Sequence, residues 1–161
     1  MDMLLKLLSD NARYTNEQLA VFTDSTAEEV AAKIKEYEDK GIIKGYKALV
    51  NWEKVPQHDV VTALIEIRVS PRRETGFDEI AREIMLFDEV ESIYLMSGGY
   101  DLAAIINAHT FKDVALFVSQ KLSPLPSVLS TATHFMLSRY KDMGVILSDQ
   151  PEDERGSDFL A

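Results

Sequence analysis

Leu4, Leu5, Leu7 and Leu8 open the chain with an apolar cluster that predicts a short helix ending near Asn11. Thr15-Asn16-Glu17-Gln18 places a hydroxyl and an amide three residues apart, the spacing of a capping box. It starts a second short helix carrying Leu19, Ala20 and Phe22, with Thr23-Asp24 as the following turn. Ser25-Thr26-Ala27-Glu28 reads as a second capping box. The helix it opens runs to about Lys40, with Val30, Ile34 and Tyr37 as its buried stripe and Gly41 suited to end it. Residues 42–50 then read as extended chain. Three short helices followed by a strand pair predict a winged helix-turn-helix over residues 1–45. Residues 46–59 are expected to be a linker strand and a polar connector containing one Pro.

The period changes from helical to alternating after the connector. From Val60 to Val69, Ala63, Ile65, Ile67 and Val69 share one face, and Leu64, Glu66 and Arg68 share the other. Phe77, Ile80, Ala81 and Ile84 mark a helix, and Val90 to Met96 a second strand. Ser97-Gly98-Gly99-Tyr100-Asp101 is a turn before a third strand, Leu102 to Ala108. A helix beginning at Thr110 carries Val114, Phe117 and Val118, Pro124 and Pro126 end that region, and Val128 to Leu137 is a fourth strand. The order strand, helix, strand, strand, helix, strand predicts a ferredoxin-like βαββαβ domain over residues 60–145, making the chain α+β. Residues 146–161 are expected to be a disordered acidic tail.

Composition narrows the function classes. Among 161 residues, 46% are apolar and 27% charged, an ordinary globular balance that excludes wholesale disorder. No apolar run approaches the roughly 18 residues of a membrane span, and Lys6 and Asp10 break up the only candidate leader. There is no cysteine, hence no disulfide, thiolate metal site or thiol nucleophile. These features point to a cytoplasmic protein without a membrane partner. The net charge is −10, whereas DNA affinity rests largely on Lys and Arg neutralising phosphates. The acid is concentrated outside residues 1–50, which carry 7 basic and 9 acidic side chains and leave room for a local basic patch.

The order of motifs resembles the Lrp/AsnC (leucine-responsive / asparagine-operon regulator) family. Asp10-Asn11-Ala12-Arg13 after a Leu-rich helix is similar to that family's opening helix. Asp39-Lys40-Gly41-Ile42-Ile43-Lys44-Gly45-Tyr46 and Ala48-Leu49-Val50-Asn51 resemble its helix end and linker strand. Ser97-Gly98-Gly99-Tyr100-Asp101 resembles its glycine-and-aspartate turn, and Thr131-Ala132-Thr133 its threonine pair. The resemblance covers about residues 1–145. It implies an amino-acid-responsive transcription regulator that binds double-stranded DNA through its N-terminal domain and an amino-acid effector through its C-terminal domain. It further implies a homodimer, assembled into higher oligomers such as octamers, with no cofactor. The family's Gly and Leu before the recognition helix are Thr23 and Asp24 here, and its arginines are replaced by lysines. The alternative is an amino-acid-sensing oligomeric module with weak or lost DNA binding.

The candidate DNA contacts are Thr26 and Ala27, short residues near the start of the recognition helix, and Lys33 and Lys35 as phosphate contacts. Glu29–Lys33 and Glu36–Lys40 have the i, i+4 spacing of solvated helix pairs. The candidate effector site is Gly98, Gly99, Tyr100, Asp101, Thr131 and Thr133. Glycine N–H groups are approachable by a carboxylate and Asp101 can pair with an ammonium, the two groups every free amino acid carries. The same glycines are also what a plain hairpin needs, and β-branched residues suit a strand regardless of ligand. His58, His109 and His134 have no ligand spacing, so no metal site is expected. No nucleophile elbow or singled-out carboxylate pair suggests catalysis, so no catalytic residues are expected. Haem-pathway decarboxylases share the two-domain order, but they resemble a His-, Tyr- and Trp-bearing stretch at the central turn. Here the only Trp is Trp52, in the connector.

Overall fold

The computed structural model describes residues 2–57, 60–70 and 76–148. The chain divides into two compact units, Met1–Val50 and Asn51–Ala161.

The first unit is three helices, α1 (Met3–Asp10), α2 (Asn16–Thr23) and α3 (Ala27–Asp39). Leu4, Leu19, Ala20, Val30 and Tyr37 form its core, with Leu5, Leu7, Leu8, Ile34 and Ile43 packed against it. Each helix begins on an oxygen-bearing side chain that takes up orphan N–H groups. Asp2 caps α1 by accepting from the Leu4 and Leu5 amides. The second Asp2 oxygen accepts the Tyr37 hydroxyl, so α1 is fastened to α3 at its N-cap. Thr15 and Gln18 form the expected capping box on α2.

The box on α3 lies one residue later than the sequence pattern suggested. Asp24 turns into the left-handed region at φ 51° and the Ser25 amide bonds Ala20. Ser25 is thereby held in the turn, its hydroxyl 2.7 Å from that of Thr23. Thr26 becomes the cap, accepting from Glu29 N–H, while Glu29 reaches back to Thr26 N–H. Glu29 is therefore not paired with Lys33. Lys33 bonds Glu36 at 2.9 Å, and the expected Glu36–Lys40 pair is present at 2.6 Å.

At the other end, Gly41 sits at φ +65°. Ile42 N–H returns to Tyr37 carbonyl and Gly41 N–H to Glu38 carbonyl, a Schellman closure. The predicted strand pair does not follow. Among the described residues no strand is formed between Gly41 and Val60, because a single extended run has no second run beside it to complete a ladder.

In the second unit, β1 (Val61–Val69), α4 (Asp78–Ile84), β2 (Val90–Leu95), β3 (Leu102–Ala108), α5 (Phe111–Phe117) and β4 (Val128–Phe135) follow the expected order. The sheet order is β2-β3-β1-β4, every neighbour antiparallel. Cross-strand partners share a face. Ala63, Ile65 and Ile67 stand beside Ile106, Ala104 and Leu102, and all six are fully buried under Ile80, Ile84, Val114, Phe117 and Leu122. The helix α5 continues as one π-helical stretch, Val118–Leu122, which seats Leu122 in that core.

The other sheet face carries Leu64 and Ile105, both half-buried and paired, with Glu66, Arg68 and His134 among them. A short hairpin that the sequence pattern missed, β5 (Lys141–Asp142) and β6 (Val145–Ile146), turns on Met143 and Gly144 at φ 44° and 85°. Positive φ at both central residues marks a type I′ turn, and Met at the first of them hides the usual Asn-Gly signal.

Asp2→Ala is expected to lower the stability of the first unit by about 1 kcal/mol, the usual worth of a side-chain N-cap, whereas Asp2→Asn, which keeps a capping oxygen, is expected to retain most of it. Urea denaturation followed by helical circular dichroism on both variants checks this.

Candidate functional site

The turn between β2 and β3 is closed from three directions. Met96 N–H donates to Asp101 carbonyl at 2.8 Å, Asp101 N–H donates to Ile67 carbonyl at 3.0 Å, and Val69 N–H donates to Asp101 Oδ2 at 2.9 Å. Val69 needs this acceptor because its N–H faces the β3 side and β3 pairs with β1 only as far as Ile67↔Leu102, and a buried amide left unpaired costs about 1–3 kcal/mol. Asp101 is thus first a clamp on the end of β1, a role the residue spacing did not reveal. Its second carboxylate oxygen has no partner among the described residues, and the side chain is half-buried.

Gly98 lies at φ +148°, a conformation that L side chains rarely adopt, and a Cβ there or on Gly99 would meet only open space. The amides of Gly98 and Gly99 have no protein acceptor among the described residues. Tyr100 is half-buried beside them.

Thr131 pairs with Ile67 and Thr133 with Ile65, so both point to the helix-bearing face of the sheet. They lie on the edge strand and remain half-buried. Thr131 therefore shares the Ile67 end of β1 with Asp101, two strand spacings or roughly 10 Å away across the sheet. Thr133 lies one pair further from the turn. The fold brings Gly98, Gly99, Tyr100, Asp101 and Thr131 to one end of the sheet and sets Thr133 behind them. Free N–H groups and a spare carboxylate oxygen at that end provide complementary partners for a carboxylate and an ammonium.

The opposite end of β3 holds a cleft of about 540 Å³ that sequence reasoning did not anticipate. Asp88, Glu89, His109, Asp113 and Lys121 line it around Phe117. Lys121 bonds Glu89 Oε1, while Glu89 Oε2 is buried without a partner among the described residues. The Lys121 ammonium holds the Glu89 carboxyl below its ordinary value of 4.5. Among the described residues no cluster of three or more His, Asp or Glu could hold a metal ion. His58 lies outside the described residues.

On the first unit, α3 presents its DNA candidates unequally. Thr26 is tied into the capping box. Ala27 is half-buried. Lys33 bonds Glu36 and lies 5.1 Å from the Tyr37 ring centre. Lys35 is exposed with no partner among the described residues.

Comparison with known proteins decides what these units are. Residues 62–146 match the profile of the Lrp/AsnC ligand binding domain. A relative from Bacillus subtilis (strain 168), the HTH-type transcriptional regulator YugG, is 44% identical over 152 residues, 94% of this chain and 92% of that one. The chain belongs to the Lrp/AsnC family. Among solved structures, the Mycobacterium tuberculosis leucine response regulatory protein shares the fold with a TM-score of 0.72 at 20% identity, over 92% of this chain and all of that one. A Neisseria meningitidis transcriptional regulator in complex with L-Met matches with a TM-score of 0.69 at 23% identity, over 88% and 93% of the two chains. This Lrp/AsnC protein is accordingly a helix-turn-helix transcription regulator that joins a DNA-binding unit to a ferredoxin-like ligand-binding domain. No helix among its described residues is long and apolar enough to cross a membrane.

The Glu89–Lys121 pair has a definite pH signature. Folding lowers the Glu89 carboxyl, so the pair contributes stability above the ordinary value near 4.5 and loses it as pH falls through the folded value. Lys121→Ala is expected to reduce stability at neutral pH by up to about 1 kcal/mol, the range of exposed pairs. The gap in urea midpoint between wild type and variant should close as the pH is lowered progressively below 4.5.

Proposed function

We propose that this regulator responds to a free amino acid held at the Gly98–Asp101 turn. The supporting observation is the pair of unengaged glycine amides beside a carboxylate with one spare oxygen. The amides of Gly98 and Gly99 receive the carboxylate without adding a net charge, and Asp101 Oδ1 receives the ammonium. Tyr100 and Thr131, with Thr133 behind, contact the side chain and set which amino acid is preferred. The L-Met bound to the Neisseria meningitidis neighbour belongs to the same chemical class.

The assembled form in this reading is a two-fold homodimer packed sheet against sheet, able to build larger rings. The helix-free face carrying Leu64, Ile105 and the exposed Tyr94 supports it, since a second copy would cover the apolar positions. His134 and Glu66, 3.4 Å apart on that face, would come under the same cover. Ligand and assembly are then coupled, because whatever binds one association state better shifts the balance toward it. Light scattering at micromolar concentration is expected to give at least twice the 18.2 kDa chain mass; a stable monomer rules this assembly out.

The effector site is tested by thermal denaturation against the twenty amino acids. A ligand at 100 times its dissociation constant adds about 2.7 kcal/mol. Asp101→Asn keeps an acceptor for Val69 N–H and removes the charge, so it is expected to fold and to lose stabilisation by every amino acid. Thr133→Val is expected to change only the preference among them. Unchanged affinity in Asp101→Asn, measured by calorimetry, would place the site elsewhere.

A further inference from the structure

The outward stripe of α3 is chemically unusual for a helix that meets a polyanion. Val30, Ile34 and Tyr37 face the core of the first unit. At 100° per residue, the outward positions are Glu28, Ala32, Lys35 and Asp39, spaced i, i+4, i+7 and i+11, with Ala31 at the edge of the stripe, and all five are exposed. Apart from Asp39 at the C-terminal end, the remaining charges on the helix are engaged elsewhere. Glu29 closes the capping box, Lys33 and Lys40 both bond Glu36, and Glu38 accepts from Tyr46. Glu28 and Lys35 have no partner among the described residues. The leading face therefore carries one carboxylate at its N-terminal end, the Ala32 methyl with that of Ala31 beside it in the middle, one ammonium seven residues on, and the Asp39 carboxylate one turn beyond the ammonium.

We propose that Glu28 is the base-reading residue of this helix, accepting a hydrogen bond from the exocyclic amino group of a cytosine in the major groove. This rests on the regulator binding DNA through α3. The N-terminal residues of a recognition helix are those that reach base edges, and Glu28 is the second residue of α3. Cytosine N4 is the major-groove donor that a carboxylate pairs with best. Ala31 and Ala32 let the backbone approach the groove floor, where a methyl group can meet a thymine methyl. Glu28 and Lys35 are about 10.5 Å apart along the axis, close to three base-pair steps, so the stripe spans a short triplet. A carboxylate facing phosphates also repels every duplex. Glu28 consequently lowers affinity overall and recovers it only where an amino group waits, which makes discrimination a matter of repulsion as well as attraction.

Removing Glu28 should move affinity and specificity in opposite directions, a signature that a purely structural residue does not give. The purified full chain is selected against a random duplex pool at fixed low salt, and the retained duplexes are titrated with single-base variants. Wild type is expected to retain one invariant cytosine per half-site and to bind the cytosine-to-thymine variant about 5- to 150-fold more weakly. Glu28→Ala is expected to lose that difference while binding random duplex more tightly. Glu28→Gln, which keeps the size of the side chain, is expected to shift the position toward adenine. Lys35→Ala should weaken all duplexes alike. The proposal falls if Glu28→Ala keeps the wild-type preference, if the Glu28-dependent position is not cytosine, or if wild type binds duplex without selecting any base. A wild type that binds no duplex at all overturns both this proposal and DNA binding through α3.

Discussion

The central strand β1 is the constraint on which the second unit depends. Val61–Val69 is hydrogen-bonded on both sides, to β3 and to β4, so none of its residues can slip without breaking two ladders. Its side chains alternate between a fully buried face and a face of mixed character. A one-residue shift would exchange them, placing Glu66 and Arg68 among Ile80, Ile84 and Phe117. The register of β1 therefore sets where Ile67 ends the core, where Asp101 can clamp, and which threonines of β4 lie level with the turn.

Under the proposed effector site, that clamp links stability and ligand chemistry in one side chain. Asp101 satisfies the Val69 amide just past the point where the β1–β3 ladder ends. An aspartate offers two oxygens, so one can serve the fold while the other remains available. Gly98 contributes in the same economical way, since its φ of +148° turns the chain and leaves the space beside it empty. The fold uses backbone and one oxygen here, and among the described residues it leaves the rest of each group unengaged, which is what the proposed recognition role requires.

The first unit relies on local chemistry at the helix ends. Asp2, Thr15 and Thr26 start the three helices, and the Schellman closure at Gly41 stops the third. Among the described residues five buried side chains form its core, so caps worth about 1 kcal/mol each matter more here than in a larger domain. The same caps decide which side chains of α3 are free at its surface. Closing Thr26 and Glu29 on each other removes both from the surface chemistry of α3, and Lys33, which pairs with Glu36, lies off the leading stripe.

The sequence by itself determined the order and type of the main elements, because periods of 3.6 and 2 are written in the spacing of apolar residues such as Val30, Ile34 and Tyr37, or Ile65 and Ile67. It also made the Lrp/AsnC resemblance legible, through the order of short motifs. Three-dimensional contacts decided the rest. Whether Ser25 or Thr26 caps α3 depended on Asp24 turning left-handed, which both candidate patterns allow. The Asp2–Tyr37 bond joins residues 35 apart, and the Asp101–Val69 clamp residues 32 apart, so neither leaves a local trace. The cleft around Glu89 is assembled from β3, α5 and the approach to β2, segments whose proximity exists only once the sheet has formed. Periodicity encodes which face of an element is buried, whereas tertiary structure chooses the partner each polar group finds. The chemistry of the turn and of α3 follows from those partners.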